Sequence, residues 1–314
     1  MKVLCMIPVN DEEKELISSA VSDYEYIFEE NPSDELLKSV DVILGLPKPT
    51  KLGECDNLKW LQTNSAGVDD YISHLPKGVL LTNATGGYGL AIAEHMLGLY
   101  LTLIKKLNGY HELQNEHNWS DLGPVTSVYG STVLVVGMGD IGTEFAKLCK
   151  AMGAYVIGVR RANSSPSAYA DEVHLTADLD ELLPRADCVA IALPGTKETA
   201  NMFGKDRFEK MKDTAILINV GRGSIINQSE LVDALNNGVI GGAGLDVTTP
   251  EPLEKDDPIW SAKNCVITPH VSGGFHLGET KKRILNICVE NLKNYHDGKE
   301  LKNVVDFETG YRKL

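Results

Sequence analysis

Three separate stretches of the sequence combine residue types that can act together on a carbonyl compound. Arg222 lies in Asn219-Val-Gly-Arg-Gly223, Glu251 stands between two prolines, and His270 follows Thr268-Pro269. An imidazole, with an ordinary pKa near ~6.5, can give a proton to a carbonyl oxygen and take it back. A neighbouring carboxylate fixes the tautomer of the imidazole and favours its protonated form. An arginine can bind a carboxylate and polarise the carbonyl group beside it.

Upstream of these stretches, an apolar β-branched run enters a glycine-rich turn and then a run of helix-forming residues. This is the context in which G-x-G-x-x-G binds a dinucleotide. The first glycine allows a tight turn, the second lets the backbone approach a pyrophosphate, and the third lets the helix pack against the strand. The N–H groups at the start of the helix then face the phosphates. The turn residues expected to bind the cofactor are Gly137, Gly139, Asp140, Ile141 and Gly142.

The strand after this turn ends in two arginines, Arg160 and Arg161, where NAD-binding units carry an acidic residue about 20 positions beyond the glycines. No carboxylate occurs from residue 154 to residue 170. An acid at this point accepts hydrogen bonds from the ribose hydroxyls, whereas a pair of guanidinium groups suits the 2′-phosphate of NADP. The sequence therefore favours NADP, with NAD as the alternative if the two arginines are merely solvated.

Taken singly, each of the three chemical residues has a simpler structural explanation. A histidine after Thr-Pro is more often a hydrogen-bonded structural residue, a glutamate between prolines is usually a loop charge, and an arginine after Val-Gly can cap a strand end. Their position at the ends of apolar runs, downstream of a dinucleotide turn, instead favours joint action. The chemistry that suits the set is hydride reduction of a keto group. His270 would donate the proton, Glu251 would orient the His270 imidazole, and Arg222 would anchor the substrate.

Alternating apolar runs and helical segments predict an α/β protein with two doubly wound domains, a flavodoxin-like substrate domain and a Rossmann NAD(P)-binding domain. Five strands are predicted in the first part of the chain and six from the glycine turn onward. A helix from Gly89 to about Leu107 is apolar over most of its surface, so we expect it to join two domains or two subunits. We place the substrate domain at residues 1–101 plus 287–314 and the dinucleotide-binding domain at residues 102–286.

The bulk composition disfavours several classes of function. A net charge of −14 argues against a surface for nucleic acid or anionic membranes. No apolar run approaches the ~20 residues of a membrane span, and the first residues carry too short an apolar run for a signal peptide. The six cysteines form no C-x-x-C, so we expect reduced thiols in a cytoplasmic protein. The histidines show no metal-ligand spacing, and no metal is expected.

Nearly the whole chain resembles the D-isomer-specific 2-hydroxyacid dehydrogenases. The stretches that carry the resemblance are Ser65-Ala-Gly-Val-Asp69, Thr82-Asn83 with Ala93-Glu94, Gly137-Met-Gly-Asp-Ile-Gly142, Leu193-Pro194 with Thr199, Asn219-Val-Gly-Arg-Gly223, Asp246 with Pro250-Glu-Pro-Leu253, and Thr268-Pro-His270. The resemblance implies reversible reduction of a 2-keto acid to a D-2-hydroxy acid with NAD(P)H. It also implies a homodimer built through the cofactor domain.

The resemblance implies roles for individual residues. It supports the roles argued above for Arg222, Glu251 and His270, and it implies that Asp246 binds the nicotinamide amide. The backbone N–H groups that it implies for binding the substrate carboxylate belong to Ala66, Gly67 and Val68. The residues that it places along the cofactor, besides the glycine turn and the two arginines, are Leu193, Pro194, Thr199, Val220, Asp246 and Gly273.

The sequence also departs from the usual family pattern. Arg160 replaces the usual acid, as in the NADP-preferring glyoxylate/hydroxypyruvate reductase members, which favours that subtype. Ser272 stands where alanine is more usual, a small change that should leave His270 in place. Glu251 argues against the formate dehydrogenase branch, which has glutamine there. Since the chain ends soon after its last helix, no appended regulatory domain is expected.

Two alternatives stay open at this point. A broader 2-ketoacid reductase for larger side chains would use the same residues, and the sequence does not give the volume of its side-chain pocket. A non-enzymatic NAD(H)-sensing interaction protein of the same fold can also retain the Arg–Glu–His set, although short termini favour the enzyme. Trp119, in the crossover to the second domain, either packs beneath that crossover or points toward a neighbouring subunit.

Overall fold

A computed structural model describes residues 1–308, and the chain divides into two compact α/β units. Unit 1 comprises Met1–Tyr88 and the described part of Gly274–Leu314, and unit 2 comprises Gly89–Gly273. The end of the predicted substrate domain, residues 309–314, lies outside the described residues.

Strands and helices alternate along both units. The strands are β1 (Lys2–Cys5), β2 (Glu25–Phe28), β3 (Val42–Leu44), β4 (Trp60–Gln62), β5 (Leu80–Thr82), β6 (Thr132–Val136), β7 (Tyr155–Arg160), β8 (Glu172–Leu175), β9 (Cys188–Ile191), β10 (Ile216–Asn219), β11 (Gly242–Leu245) and β12 (Cys265–Ile267). The helices are α1 (Asp11–Ser18), α2 (Asp34–Ser39), α3 (Asp69–Ile72), α4 (Gly89–Ile104), α5 (Leu107–Asn115), α6 (Asp140–Ala151), α7 (Leu179–Leu182), α8 (Lys205–Phe208), α9 (Gln228–Asn236) and α10 (Gly278–His296).

Unit 1 contains a parallel five-stranded sheet with the order β2-β1-β3-β4-β5. This is the strand order of the flavodoxin-like folds, so the predicted fold of the first domain is confirmed. Apolar side chains from the central strands, among them Leu4, Ile43 and Leu61, are fully buried in its core. The segment that follows β4 therefore leaves the sheet at its carboxyl edge, where open α/β sheets bind ligands.

Unit 2 contains a parallel seven-stranded sheet with the order β12-β11-β10-β9-β6-β7-β8. When β6 is counted as the first strand, the order β8-β7-β6-β9-β10-β11 is the Rossmann order 3-2-1-4-5-6. The predicted fold of the second domain is therefore confirmed. The prediction of six strands missed β8, whose residues alternate polar and apolar side chains and are only half-buried. A strand at the edge of a sheet needs no continuous apolar run, and such a run was the feature from which the other strands were predicted.

The predicted domain boundaries differ from the two units because each falls inside a helix. The boundary at 101/102 cuts α4, which packs on α6, β10 and β11 of unit 2, with Leu99 and Leu103 beside Gly244. The boundary at 286/287 cuts α10, whose Asn291 donates to Gln62 Oε1 at 2.8 Å within unit 1. A helix stays with the sheet that covers its apolar face, and periodicity alone does not identify that sheet.

All strands of each sheet run parallel, so their carboxyl ends meet at one edge. In unit 2 the glycine turn follows β6, and Arg160 and Arg161 lie at the end of β7. The stretches that contain Arg222, Glu251 and His270 follow β10, β11 and β12. The fold therefore gathers the predicted site residues of unit 2 at a single edge. Within residues 1–308, no helix is both long enough and apolar enough to cross a membrane.

Candidate active site

The glycine turn between β6 and α6 leaves no room for side chains at two of its positions. Gly137 has φ of +106°, and a Cβ added there would lie 2.6 Å from the carbonyl oxygen of Ala192. A Cβ added at Gly142 would lie 2.0 Å from the carbonyl oxygen of Gly137. These positions must be glycine if α6 is to start this close to the strand.

The N-terminus of α6 suits a phosphate. Gly139 is its N-cap residue and offers no side-chain hydrogen bond, and a Cβ added there would meet no atom within 4 Å. The N–H groups of the first turn have no partner inside a helix, so they attract an anion. Asp140 and Ile141 are the first two residues of this turn. The backbone of this helix start therefore fits the pyrophosphate of a dinucleotide.

Arg160 ends β7 with an unpaired hydrogen-bond donor. Its Nε atom is buried and has no hydrogen-bond partner among residues 1–308, while its Nη1 atom makes a long 3.4 Å contact with Asn163 Oδ1. A buried N–H without a partner is unfavourable by about 1–3 kcal/mol, so this guanidinium fits a phosphate oxygen. Arg161 is exposed, and its charge is one of the causes, after a hydrogen bond with Thr196, that lower the pKa of Glu198.

The loop after β9 contains Leu193, Pro194 and Thr199, which the resemblance places along the cofactor. The Thr199 hydroxyl donates to the carbonyl of Pro194 at 2.8 Å and accepts from the N–H of Thr196 at 2.8 Å. Thr199 is buried, so its hydroxyl holds the loop in one shape. A role for Thr199 in cofactor binding would act through the position of this loop.

The loop that carries Arg222 is fixed by a residue that the sequence analysis did not single out. Asn219, the last residue of β10, is fully buried. Its Nδ2 donates to the carbonyl of Arg222 at 3.0 Å, and its Oδ1 accepts from the N–H of Gly221 at 3.0 Å. Val220, between them, is buried and donates its N–H to the carbonyl of Ile191. A polar residue that ends an apolar strand was the available indication of this role.

Glu251 and His270 form a direct hydrogen bond. His270 Nδ1 lies 2.7 Å from Glu251 Oε2, and Glu251 Oε1 accepts from the N–H of Thr248 at 3.0 Å. A carboxylate accepts only, so Nδ1 carries the proton in this pair and Nε2 is the nitrogen that faces outward. About half of the imidazole side chain is exposed. The arrangement suits an imidazole that exchanges a proton with a ligand through Nε2.

The loops after β9, β10 and β11 pack directly against one another. A Cβ added at Gly195 would lie 3.0 Å from Arg222 Cγ, and one added at Gly223 would lie 1.9 Å from the carbonyl oxygen of Thr248. The structure thus brings the Arg222 loop against the segment that leads into Glu251. It joins Glu251 to His270 by a direct contact and Arg222 to both by contact between the loops.

Asp246 and Gly273 frame the loop that carries His270. Asp246 follows β11, and only 1% of its surface is exposed. Its carboxylate accepts from the hydroxyl of Thr268 at 2.6 Å and from the N–H groups of Val271 and Ser272 at 3.0 and 3.1 Å. Gly273 is the last residue of unit 2. The predicted contact of Asp246 with the nicotinamide amide stays a prediction, and the observed contacts of its carboxylate are with this loop.

The three residues Ala66, Gly67 and Val68 follow β4 in unit 1. The carbonyls of Ala66 and Gly67 accept from Asn83 Nδ2 at 2.9 Å and from Ser65 Oγ at 2.6 Å. Within residues 1–308, no hydrogen bond uses the N–H groups of these three residues. Fixed carbonyls and N–H groups without protein partners suit the binding of an anion by the backbone.

Proton transfer at an imidazole in a Rossmann domain is the chemistry of the nicotinamide-dependent oxidoreductases, and the fold and the site assign the chain to that class. The family model described as "D-isomer specific 2-hydroxyacid dehydrogenase, NAD binding domain" matches residues 97–272. The chain is 32% identical over 271 residues to a hydroxypyruvate reductase of Blautia hydrogenotrophica, which covers 83% of this chain and 82% of that protein. The chain belongs to the D-isomer-specific 2-hydroxyacid dehydrogenase family.

Solved structures agree with this assignment. A D-isomer specific 2-hydroxyacid dehydrogenase family protein from Aeromonas salmonicida superposes with a TM-score of 0.86 at 32% identity, covering 98% of this chain and 99% of that one. An NADPH-dependent glyoxylate/hydroxypyruvate reductase from Sinorhizobium meliloti, in complex with NADP and sulfate, gives 0.84 at 27% identity and covers 99% of each chain. The sequence-based prediction of an NAD(P)-dependent 2-hydroxyacid dehydrogenase is confirmed. The roles of the individual residues stay predictions.

Proposed function

We propose that the protein reduces a small 2-keto acid, glyoxylate or hydroxypyruvate, to the corresponding 2-hydroxy acid with NADPH, and that the product of hydroxypyruvate is the D isomer. The observation that carries the catalytic part of this proposal is the 2.7 Å hydrogen bond between Glu251 and His270 Nδ1. When bound, the nicotinamide cofactor supplies the hydride. His270 Nε2 gives its proton to the carbonyl oxygen, and Glu251 stabilises the imidazolium beforehand and holds the ring in place.

In this proposal the Arg222 side chain binds the substrate. The guanidinium anchors the carboxylate and polarises the keto group, and its backbone is held by Asn219. Separately, we propose that the N–H groups of Ala66, Gly67 and Val68 in unit 1 bind a carboxylate, because no hydrogen bond within residues 1–308 uses them. The choice of glyoxylate or hydroxypyruvate is supported by relatives with these substrates in their names.

Initial rates of NADPH and NADH oxidation with glyoxylate, hydroxypyruvate, pyruvate and phenylpyruvate test the proposed function, compared by kcat/KM. We expect NADPH and the two small acids glyoxylate and hydroxypyruvate to give the highest values. Higher values for pyruvate or phenylpyruvate would replace this substrate class with a broader 2-ketoacid reductase. Binding of the cofactor without turnover of any keto acid would overturn the proposal in favour of a sensor that binds NAD(H).

The preference for NADPH is proposed to depend on Arg160. Replacing Arg160 with serine removes the guanidinium with its buried, unpartnered Nε atom, and we expect the KM for NADPH to rise by about 10- to 100-fold. The KM for NADH should change by less than about threefold, because NADH carries no 2′-phosphate. The matched control is Arg161→Ser, which removes an exposed charge near Glu198 and should have a smaller effect. Equal loss with both cofactors would contradict the assignment.

The homodimer is likewise a proposal, supported by an apolar surface on unit 2. No residue of α5 is buried, and Trp119 is fully exposed beside a groove of about 830 Å³ that includes Tyr110 and Leu113. Leu107 and Tyr129 are also exposed. Exposed apolar area of this kind marks protein contacts, and we propose that a second copy of the chain covers it.

Light scattering after size-exclusion chromatography tests this interface. We expect the wild-type protein to elute as a dimer and Trp119→Glu to shift the equilibrium toward the monomer, because a buried unpaired charge opposes association. Trp260→Glu is the matched control, since Trp260 is another exposed tryptophan outside this surface. A monomeric wild-type protein, or an equal shift with both variants, would rule out this interface.

The proposed location is the cytoplasm. All six cysteines are free thiols, and five of them are buried. Burial raises the pKa of Cys5 to about 11 and that of Cys149 to about 12. Such thiols stay protonated and unreactive, which fits a protein that folds without disulfides in a reducing compartment.

A further inference from the structure

A network of hydrogen bonds beneath His270 connects three elements of unit 2. The buried carboxylate of Asp246, after β11, accepts from Thr268 Oγ1 and from the N–H groups of Val271 and Ser272, and the hydroxyl of Ser272 also donates to it. These donors lie on both sides of His270 in the chain. The network extends to α4, where His95 Nε2 lies 2.9 Å from Thr268 Oγ1.

The chemistry of the groups determines the direction of each hydrogen bond. An ionised carboxylate only accepts, so the 2.6 Å contact requires the single hydroxyl proton of Thr268 to point at Asp246. Thr268 Oγ1 must then accept from His95, so Nε2 of His95 carries a proton. The same Nε2 atom lies 3.7 Å from Asp246 Oδ1, which places its positive end toward the carboxylate. His95 is therefore the outermost donor of a relay through Thr268 to Asp246.

The loop above this relay holds His270 in an unusual conformation. His270 has φ of 53°, in the left-handed region that is unfavourable for residues other than glycine. Its N–H donates to the carbonyl of Asp246 at 2.8 Å, and the side chain of the same aspartate holds the next two residues. The position of the His270 ring thus depends on a fixed Asp246 and Thr268, and surrounding contacts of this kind maintain strained backbone at functional sites.

We propose that His95 is a positioning residue for His270. Through Thr268 and Asp246 it fixes the loop that presents the His270 imidazole, without touching the substrate itself. The inference rests on the proposed role of His270 as proton donor and adds to it a residue on α4. The position of His95 is fixed because α4 packs against α6, β10 and β11.

Four substitutions test the relay. His95→Leu and Thr268→Val remove the donor and the hydroxyl, whereas His95→Gln and Thr268→Ser keep an N–H and a hydroxyl at those places. We expect the first two to lower kcat about five- to tenfold, the size expected for one lost hydrogen bond. The Kd for NADPH should stay within about twofold. The conservative pair should restore most of the lost kcat, and His296→Leu, in unit 1, is the control.

A double variant and a spectroscopic measurement separate positioning from loss of folding. If His95 acts through Thr268, the kcat of the variant with both His95→Leu and Thr268→Val should equal that of the slower of the two single variants. In the cofactor-free protein, the His270 ring resonance, assigned by its loss in His270→Gln, should shift or broaden in His95→Leu. It should return to its wild-type position in His95→Gln.

The outcomes decide the two proposals separately. Unchanged kcat and an unchanged His270 resonance in His95→Leu would overturn the positioning role. Equal losses in His95→Leu and His95→Gln, together with lower thermal stability, would show that His95 only packs. If the wild-type protein reduces no keto acid, the resonance decides alone: a shift in His95→Leu that His95→Gln reverses supports the relay even though the proposed reaction has failed.

Discussion

Replacing His270 with glutamine is expected to lower kcat for a 2-keto acid by about 10²–10⁴. Glutamine keeps a polar side chain of similar reach but cannot donate a proton to the carbonyl oxygen as the hydride arrives. The measurement is kcat at saturating NADPH and keto acid, with the Kd for NADPH determined on the same variant. We expect that Kd to stay near the wild-type value, because the glycine turn follows β6 and Arg160 ends β7, whereas His270 follows β12.

Two comparisons make this result specific. His296→Gln, which alters a histidine of α10 in unit 1, should keep wild-type turnover. Glu251→Gln should lower kcat by a smaller factor than His270→Gln, because it removes the partner of Nδ1 and leaves the proton donor in place. Combining both changes should add little to the effect of His270→Gln, since the two residues act as a unit. Wild-type turnover in His270→Gln would exclude it as the proton donor.

Replacing Arg222 with lysine is expected to lower kcat/KM for the keto acid by about 10²–10³. An ammonium group keeps the charge but cannot reproduce the forked contact of a guanidinium with a carboxylate, nor polarise the carbonyl from the same geometry. The KM should rise and kcat should fall, because in the proposed function the arginine binds the substrate and stabilises the charge that develops on its oxygen. The loop should survive the change, because Asn219 makes two hydrogen bonds to its backbone, whereas the Arg222 guanidinium contributes one, from Nη1 to the carbonyl of Gly221 at 2.8 Å.

Arg185→Lys is the matched control for this prediction. Arg185 donates to Glu172 Oε2 at 3.0 Å in an exposed ion pair of unit 2 and precedes β9, so its replacement changes an arginine away from the loops that follow the strands. We expect wild-type kinetics from it. If Arg222→Lys also left KM and kcat unchanged, the substrate carboxylate would have to be bound elsewhere.

The parts of the fold that the sequence predicted well depend on local interactions. The glycine turn is an example, because Gly142 is required by the carbonyl of Gly137, five residues earlier, and Gly137 adopts a positive φ in a tight turn. β6 and β10 were evident because strands buried on both faces are continuous apolar runs. β8 was missed because a half-buried edge strand lacks such a run. The predicted domain boundaries fall inside α4 and α10, because the sheets that cover these helices are tertiary partners.

The candidate site divides in the same way. The sequence supplied Arg222, Glu251 and His270 through chemical complementarity, and the contact of Glu251 with His270 spans only 19 residues of chain. Asn219 was hidden because its role depends on which way a buried amide points. His95 was hidden because its partner, Thr268, is 173 residues away in sequence.

By itself, the sequence determined the two doubly wound domains, the dinucleotide turn and the set of residues able to transfer a proton and bind a carboxylate. These follow from side-chain chemistry and from the alternation of apolar and helical segments. Only the tertiary structure decided which buried polar groups hold the reacting residues in place. The physical reason is that a buried donor or acceptor must find a partner in space, and no local pattern specifies a partner on another strand or helix.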